Sequence, residues 1–283
     1  MTLERYLRLA AAQLSQSPTP HLDVRVLAKH ALALDDAALL AKGAEPLSTE
    51  MTKALDAMMT RRARGEPVAH IIGRREFWSL DIEVEPGILV PRTDSEALIE
   101  AAVKRRDAAA SLMILDLGCG SGALLCALLS AFPAAEGLGV DLNPDAVVLT
   151  ARNLERFGFA SRARAQQGDW FTGVDARFDV IVSNPPYIRT IDRDTLPREV
   201  RDYEDARALF AGEHGLDAYR RIMAGLRERL ADGGLAVFEF GAGQEDAIKE
   251  LARKALPEAK ISIEADLAGL PRAFVIDLGP AAN

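Results

Sequence analysis

Short helical periods of apolar residues alternate with helix breakers through the first 67 residues. Apolar positions recur at helical spacing over Leu3–Leu14, Leu22–Leu34 and Ser48–Arg64, which is the pattern of helices that bury one face. Runs rich in Ser, Thr, Pro and Gly separate these stretches. Gly65-Glu66-Pro67 supplies the glycine and the following proline that commonly end a helix. We therefore predict a small helical bundle over residues 1–67.

The pattern changes over residues 68–90. β-Branched and aromatic residues dominate there, with Gly73 and Pro86-Gly87 as turn signals, so we predict a β-hairpin linker over this segment. A helix is expected to follow, with Thr93 as its N-cap and Glu96 three residues later completing a capping box.

Strand-like apolar runs then alternate with helical periods through the rest of the chain. Such alternation predicts an α/β domain over residues 91–283, with a doubly wound, mostly parallel sheet of Rossmann-like type and helices on both faces. The predicted strands are Leu112–Leu117, Gly137–Leu142, Arg164–Gly168, Phe178–Ser183, Leu235–Phe240 and Phe274–Leu278.

Composition and charge narrow the classes of protein. The net charge of −8 disfavours tight nucleic acid binding, which depends on Lys and Arg neutralising phosphates. The two cysteines, Cys119 and Cys126, suit a reduced compartment, and the four histidines lack the spacing of a zinc site, so we expect no metal. No apolar run approaches the roughly 20 residues of a membrane span, and the first residues lack the order of a signal peptide. These features predict a cytoplasmic protein without a membrane segment.

The first strand of the α/β domain leads directly into a glycine-rich turn, Gly118-Cys119-Gly120-Ser121-Gly122, followed by a helix. Glycines allow a tight turn and a close approach of the backbone to a ligand. Proteins that bind NAD, FAD or S-adenosylmethionine all use such turns, and a purely structural turn is the alternative.

The ends of the next two strands carry further candidate ligand contacts. Asp141 lies about 20 residues after the glycine turn, where a carboxylate can accept from both ribose hydroxyls of a nucleoside. Asp169 and Trp170 follow the third strand, where they could bind an adenine amino group and pack on the base. The alternatives are that Asp141 only caps a helix and that Trp170 belongs to the core.

The fourth strand ends in Asn184-Pro185-Pro186-Tyr187. An amide or aromatic amino nitrogen is a poor nucleophile because its lone pair is delocalised. The Asn184 side-chain oxygen and the Pro185 carbonyl could accept its two N–H groups and aim the nitrogen at a methyl donor. Prolines fix the backbone without adding competing N–H groups, and Tyr187 could stack on the planar target. We assign Asn184, Pro185 and Tyr187 catalytic roles.

Taken together, Asp116–Gly122, Asp141, Asp169-Trp170 and Asn184–Tyr187 resemble the motifs of class I methyltransferases that act on planar amino groups. Over nearly its whole length the chain resembles the release factor glutamine methyltransferases, the HemK or PrmC family. Thr93 and Asp205 depart from this resemblance, because the family usually has proline at both positions. Further similar segments are Gly65-Glu66-Pro67, Glu76-Phe77-Trp78, Leu89–Arg92, Tyr203-Glu204, Gly215-Leu216-Asp217, and Glu239-Phe240-Gly241 with Gln244.

The resemblance implies an enzyme that methylates the side-chain nitrogen N5 of the glutamine in the Gly-Gly-Gln motif of peptide chain release factors. It implies S-adenosyl-L-methionine as cofactor, S-adenosyl-L-homocysteine as product, and a helical domain that helps to hold the release factor. Cofactor contacts are expected from Gly118, Cys119, Gly120, Ser121, Gly122, Asp141, Asp169, Trp170 and Asn184, and glutamine contacts from Asn184, Pro185, Pro186 and Tyr187.

Three other functions remain open at this point. The same four-residue motif serves DNA adenine methylation, although the acidic charge disfavours it. A related enzyme class methylates a glutamine of a ribosomal protein. A non-catalytic protein that keeps the fold only to bind a partner is the third alternative, and the intact Asn184 motif argues against it.

Overall fold

A computed structural model describes residues 1–279 and divides the chain into two compact units. The first comprises Met1–Arg74 together with Pro197–Tyr203, and the second comprises Arg75–Leu196 and the chain from Glu204 onward. The last four residues of the predicted 91–283 domain lie outside the described residues. The boundaries placed after residues 67 and 90 remain a prediction.

The helices are α1 (Leu3–Gln13), α2 (Pro20–Leu32), α3 (Asp36–Ala41), α4 (Thr49–Ala63), α5 (Val68–Ile72), α6 (Glu96–Val103), α7 (Ala123–Ala131), α8 (Pro144–Arg156), α9 (Arg198–Arg201), α10 (Ala206–Leu209), α11 (Asp217–Arg229) and α12 (Glu245–Ala255). The strands are β1 (Arg74–Phe77), β2 (Leu80–Glu83), β3 (Met113–Leu117), β4 (Glu136–Asp141), β5 (Ala163–Gln167), β6 (Phe178–Ser183), β7 (Leu230–Glu239), β8 (Lys260–Ala265) and β9 (Pro271–Asp277). Thr93–Ser95 and Thr190–Thr195 form 3₁₀ turns. Within residues 1–279, no helix is both long and apolar enough to cross a membrane.

The first unit is a helical bundle whose apolar faces meet in one core. The three predicted helices are observed as α1, α2 and α4, and Leu3, Leu27 and Leu55 are buried where they pack. The short α3 was not predicted, because six residues are too few to show a helical period; the Asp35 side chain caps it by accepting from Ala38 N.

A buried arginine holds part of this unit together. Arg62 of α4 donates to Asp23 at 2.6 Å and pairs with Glu199 of α9 at 2.9 Å. A buried guanidinium needs such partners, because burying an unpaired charge is costly. These contacts place α9 in the helical unit, although it lies more than a hundred residues further along the chain.

The predicted hairpin is present but shorter than residues 68–90. Val68–Ile72 forms α5 rather than a strand, because Pro67 begins the helix and Gly73 ends it with a φ of +74°. The hairpin consists of β1 and β2, joined by Trp78 and Ser79 with φ values of +52° and +60°. Two positive φ values in a two-residue loop match the twist of a tight hairpin.

The predicted capping box at Thr93 and Glu96 is wrong. Helix α6 begins at Glu96, after the 3₁₀ turn, and Ser95 precedes it without a side-chain cap. The Glu96 carboxylate instead accepts the backbone N–H of Trp78 at 2.9 Å, and Thr93 Oγ1 accepts from Arg75. The hairpin turn takes the hydrogen bonds that the sequence pattern assigned to the helix end.

The second unit contains a seven-stranded sheet in the order β5-β4-β3-β6-β7-β9-β8. The first five strands of this order are parallel, and β9 runs antiparallel to both β7 and β8. The predicted doubly wound, mostly parallel class is confirmed, whereas β8 was not predicted. Because the chain winds outward from β3 in one direction and from β6 in the other, the order reverses between these two strands. Ligands of open α/β sheets bind at such a reversal, beyond the carboxyl ends of the strands.

Candidate active site

A cavity of about 400 Å³ lies at the carboxyl ends of β3, β4 and β6, within the second unit. This volume is in the range of small-molecule sites. The cavity lining includes most of the residues that the motifs singled out: Gly118, Cys119, Gly120, Ser121, Asp141, Asp169, Trp170, Asn184 and Pro186. Gly122, Pro185 and Tyr187 were also singled out but do not belong to the lining.

The glycine-rich turn is fixed by backbone hydrogen bonds to the adjacent strand. Gly118 N and Cys119 N donate to Val140 O at 2.8 and 3.1 Å. Gly118, Gly120 and Gly122 all have positive φ values, which side chains with a Cβ rarely adopt. A Cβ on Gly122 would lie 2.8 Å from Cγ2 of Thr150 in α8. Gly122 therefore allows close packing behind the turn, while Gly118 and Gly120 face the cavity.

Asp141 is held at the end of β4 by two backbone donors. Its Oδ2 accepts from Gly120 N and its Oδ1 from Asn143 N, each at 2.8 Å. Burial raises the pKa of the carboxyl, and the two N–H groups oppose that shift. Each oxygen keeps lone-pair capacity for another donor. Asp141 can therefore accept two hydroxyls while it remains anchored to the glycine turn.

Trp170 and Asp169 occupy an unusual piece of backbone after β5. Trp170 has a φ of +54°, a strained conformation for a residue with a large side chain. Asp169 Oδ2 accepts from Arg221 of α11 at 2.5 Å, and Arg221 also lines the cavity. Sequence analysis did not single out Arg221, because it lies 52 residues away and outside any motif.

The Asn184 side chain is connected to a buried carboxylate. Asn184 Nδ2 donates to Ser95 Oγ at 3.2 Å, and Ser95 Oγ donates to Oε2 of Glu239. Tyr187 OH donates to Oε1 of the same carboxylate at 3.0 Å. Burial raises the pKa of Glu239, while the hydrogen bond from Ser95 and the charge of Arg272 oppose the shift. Glu239 was singled out from the sequence only through the family resemblance, and no role in the site was predicted for Ser95.

Two further residues hold the backbone after Tyr187. Gln244 Nε2 donates to the carbonyl oxygen of Tyr187 at 2.9 Å and to that of Gly215 at 3.2 Å. Its Oε1 accepts from Gly241 N at 3.0 Å. A Cβ on Gly215 would lie 2.3 Å from the Tyr187 oxygen. Gln244 therefore fixes the backbone after Tyr187 by hydrogen bonds, and Gly215 leaves space for that backbone because it has no Cβ.

Asp116 lies on β3, immediately before the glycine turn, and is fully buried. Neither of its carboxyl oxygens has a hydrogen-bond partner among residues 1–279. Burial raises the pKa of Asp116 to about 7; the backbone N–H of Leu125, which approaches the carboxyl without forming a full hydrogen bond, opposes this shift, and the charge of Asp141 adds to it. Asp116 is therefore largely protonated in slightly acidic solution. The described chain contains no cluster of three or more His, Cys, Asp or Glu side chains that could hold a metal ion.

Comparisons with known proteins agree with this geometry. A family model described as the PrmC N-terminal domain matches residues 5–73, and one described as the methyltransferase small domain matches residues 93–198. The release factor glutamine methyltransferase of Bradyrhizobium diazoefficiens is 39% identical over 269 residues, which cover 94% of this chain and 90% of that relative. The enzyme of that name from Escherichia coli K12 is 39% identical over 251 residues, covering 88% and 90%. A methyltransferase structure from Pyrococcus furiosus matches with a TM-score of 0.53 at 18% identity. The match covers 79% of this chain and 99% of that one, and it shows that the two share a fold.

The sheet order, the glycine turn and the methyltransferase domain model together define a class I, Rossmann-like methyltransferase. The helical first unit matches the PrmC N-terminal domain model, and this match narrows the assignment within the methyltransferase class. The chain belongs to the release factor glutamine methyltransferase family. The resemblance inferred from the sequence motifs and the assignment as a methyltransferase enzyme are confirmed.

Proposed function

We propose that this protein transfers the methyl group of S-adenosyl-L-methionine to the side-chain nitrogen N5 of the glutamine in the Gly-Gly-Gln motif of class 1 peptide chain release factors. The reaction releases S-adenosyl-L-homocysteine. The observation that carries the proposal is the position of Asn184, which lines one cavity together with Asp141 and the glycine turn. An amide acceptor and a nucleoside site therefore share the same space.

The residues around the cavity fit S-adenosylmethionine. The carboxylate of Asp141 suits two ribose hydroxyls, because both of its oxygens retain acceptor capacity. Gly118 and Gly120 leave the backbone open to a ligand, and Trp170 offers an aromatic surface beside Asp169. Gly122 supports this site through its packing on Thr150. The bound cofactor supplies an electrophilic methyl group on a sulfonium sulfur.

The Asn184-Pro185-Pro186-Tyr187 segment prepares the glutamine nitrogen. Asn184 Oδ1 and the Pro185 carbonyl each accept one N–H of the glutamine amide, which holds the nitrogen and favours its lone pair pointing at the methyl carbon. Pro186 contributes no N–H that could compete for these acceptors. The Tyr187 ring packs beside the amide while its hydroxyl is held by Glu239. No general base is required before attack, because the proton leaves a nitrogen that has become cationic.

The charge and the family membership of this chain support a protein substrate and a methylation reaction in the cytoplasm. The net charge of −8 disfavours tight binding to nucleic acid. The helical domain proposed for residues 1–67 overlaps the match to the PrmC N-terminal domain, and we assign it to holding the release factor.

The test is a transfer assay with labelled S-adenosylmethionine and three separate acceptors: a release factor, a ribosomal protein and single-stranded DNA. Label is expected on the release factor, at the glutamine of its Gly-Gly-Gln motif. A release factor with that glutamine changed to alanine serves as the matched control and should take no label. Label on the ribosomal protein or DNA in place of the release factor would overturn the proposal.

A further inference from the structure

A continuous hydrogen-bond chain connects Asn184 to a carboxylate on a different strand. It runs from Asn184 Nδ2 to Ser95 Oγ and from Ser95 to Glu239. Ser95 and Glu239 are both buried, at 3% and 1% exposure. Ser95 ends the 3₁₀ turn before α6, and Glu239 ends β7, so two separate elements fix one side chain of the acceptor motif.

The carboxyl group of Glu239 determines which atom donates in each of these two hydrogen bonds. When Glu239 is ionised it can only accept, so the Ser95 hydroxyl then donates its single hydrogen to Glu239. Ser95 then has only lone pairs to offer Asn184, which must present its NH2 group. The Asn184 oxygen is thereby turned away from Ser95, and among residues 1–279 no hydrogen bond occupies it.

We propose that Glu239 and Ser95 are positioning residues that set the orientation of the Asn184 amide, so that Oδ1 rather than NH2 meets the N–H of the substrate. The inference rests on the proposed function, because it concerns the acceptor for the transferred methyl group. An Asn184 amide rotated by half a turn would present two donors to an N–H donor, and the substrate nitrogen would lose one of its two acceptors.

Glu239 also holds Tyr187, the aromatic residue of the motif. Its Oε1 accepts from Tyr187 OH, so one carboxylate orients both the first and the last residue of Asn184–Tyr187. The hydroxyl of Tyr219 approaches from α11 but donates to the backbone oxygen of Glu239, at 2.6 Å. Tyr219 therefore lies beside Glu239 without taking part in the hydrogen-bond chain from Asn184 through Ser95 to Glu239, which we call the relay.

The relay depends on the charge of Glu239. A protonated Glu239 could donate to Ser95, which would free the Ser95 hydrogen for Asn184 Oδ1 and remove the preference for the productive orientation. The ionisable groups around the carboxyl are Tyr187 from the motif, Tyr219 from α11, Arg272 from β9 and Asp94 from the 3₁₀ turn. Arg272 favours the charged form of Glu239, whereas burial and Asp94 oppose it. Loss of activity towards acidic pH is therefore expected.

A double-mutant cycle distinguishes positioning from general structural support. Ser95→Ala should lower kcat for release factor methylation by on the order of 10-fold, the scale of one hydrogen bond, and should leave the KM for S-adenosylmethionine within about 2-fold. In an Asn184→Ala background the same change should cost almost nothing, because Ser95 then has no amide to orient. The matched control is Tyr219→Phe, which removes a hydrogen bond to the Glu239 backbone and should leave kcat within about 2-fold.

Glu239→Gln provides a second, isosteric test. A glutamine offers one oxygen and one NH2 group in place of two oxygens and does not titrate near neutral pH, so whichever group faces Ser95 the acid-side loss of kcat should become shallower than in the wild type. Thermal unfolding of each variant checks that it is folded. Multiplicative effects of Ser95→Ala and Asn184→Ala, wild-type kcat in Ser95→Ala, or an unchanged pH profile in Glu239→Gln would each overturn the relay. Failure of the proposed function has a different signature, since wild-type protein would then leave the release factor unlabelled.

Discussion

The two sides of the cavity are built in different ways. On the proposed cofactor side, the glycine turn, Asp141 and Trp170 follow three strands that come one after another in the chain, and backbone N–H groups hold the turn and Asp141. On the acceptor side, Asn184 and Tyr187 are held by side chains of Ser95, Glu239 and Gln244. Ser95 and Glu239 lie 144 residues apart in the sequence.

This contrast separates contacts that depend on backbone geometry from contacts that depend on particular side chains. Backbone contacts and glycines depend little on side-chain identity, so the proposed cofactor side places few demands on its side chains. The proposed acceptor side depends on the donor and acceptor pattern of a few side chains, and we infer that this pattern selects a planar N–H group. Mutations on the two sides should therefore affect different kinetic constants.

The largest effect is expected from Asn184→Ala. Removing one preorganised polar contact to the reacting group should lower turnover by roughly 10²-fold or more. Affinity for the cofactor should fall far less, because Asp141 and the glycine turn are untouched. Single-turnover rates and equilibrium binding of S-adenosylhomocysteine measure the two effects separately. Near-normal single-turnover rates would remove Asn184 from the mechanism.

A smaller effect on the same side is expected from Gly215→Ala. The new Cβ would lie 2.3 Å from the Tyr187 oxygen, so the acceptor loop must move. A displacement approaching 1 Å in an active site can cost up to about 10²-fold, and we expect kcat to fall by roughly 10- to 50-fold. Gly243→Ala is the matched control: its φ is also positive, at +80°, but nothing lies within 4 Å of the added Cβ. Equal kcat losses in the two variants would show that backbone strain, rather than the loop contact, is responsible.

On the cofactor side, Asp141→Asn should weaken binding of S-adenosylhomocysteine by about 10-fold, because an amide replaces one of two charged acceptors. At saturating cofactor, kcat should change by less than about 3-fold. Isothermal titration and steady-state kinetics provide both values. Asp145→Asn, an exposed position in the first turn of α8, should bind the ligand as the wild type does. A selective loss of kcat in Asp141→Asn would contradict the division between the two sides.

The last prediction concerns stability rather than catalysis, at Asp116 on β3 just before the glycine turn. Its pKa in the folded state is about 7, whereas an unfolded aspartate titrates near 4. Between these values the folded protein retains a proton that the unfolded chain has released. The free energy of unfolding therefore falls as pH rises through this window, by at most about 1.4 kcal/mol per pH unit, and the slope vanishes above pH 7.

Asp116→Asn should remove this contribution to the pH dependence, and denaturant titrations from pH 4.5 to 8 would measure it. Asp246→Asn, which removes a fully exposed carboxylate, should keep the wild-type slope. Parallel slopes for wild type and Asp116→Asn would show that Asp116 is ionised throughout or that its surroundings relax.

Much of the fold could be predicted because it follows from local periodicity. The strand Phe178–Ser183 was predicted with its observed bounds, and helices α1, α2 and α4 of the first unit were predicted to within about two residues. Errors occurred where flanking helix breakers or distant residues override the local composition. Val68–Ile72 has strand-like composition but becomes helical between Pro67 and Gly73, and Glu96 bonds to Trp78 rather than capping its own helix. Strand β8 was not predicted because its residues are only partly buried and do not form a clear apolar run.

The candidate site shows the same limit. The order of Gly118, Asp141 and Asn184 at successive strand ends predicted that they would meet at one edge of a parallel sheet, because the carboxyl ends of parallel strands share an edge, and all three line one cavity. Family membership then followed from the motifs. Tertiary structure alone decided how the acceptor is oriented. Ser95 and Glu239 carry no local signal, since a hydroxyl and a carboxylate far apart in sequence become a relay only when α6 and β7 bring them together.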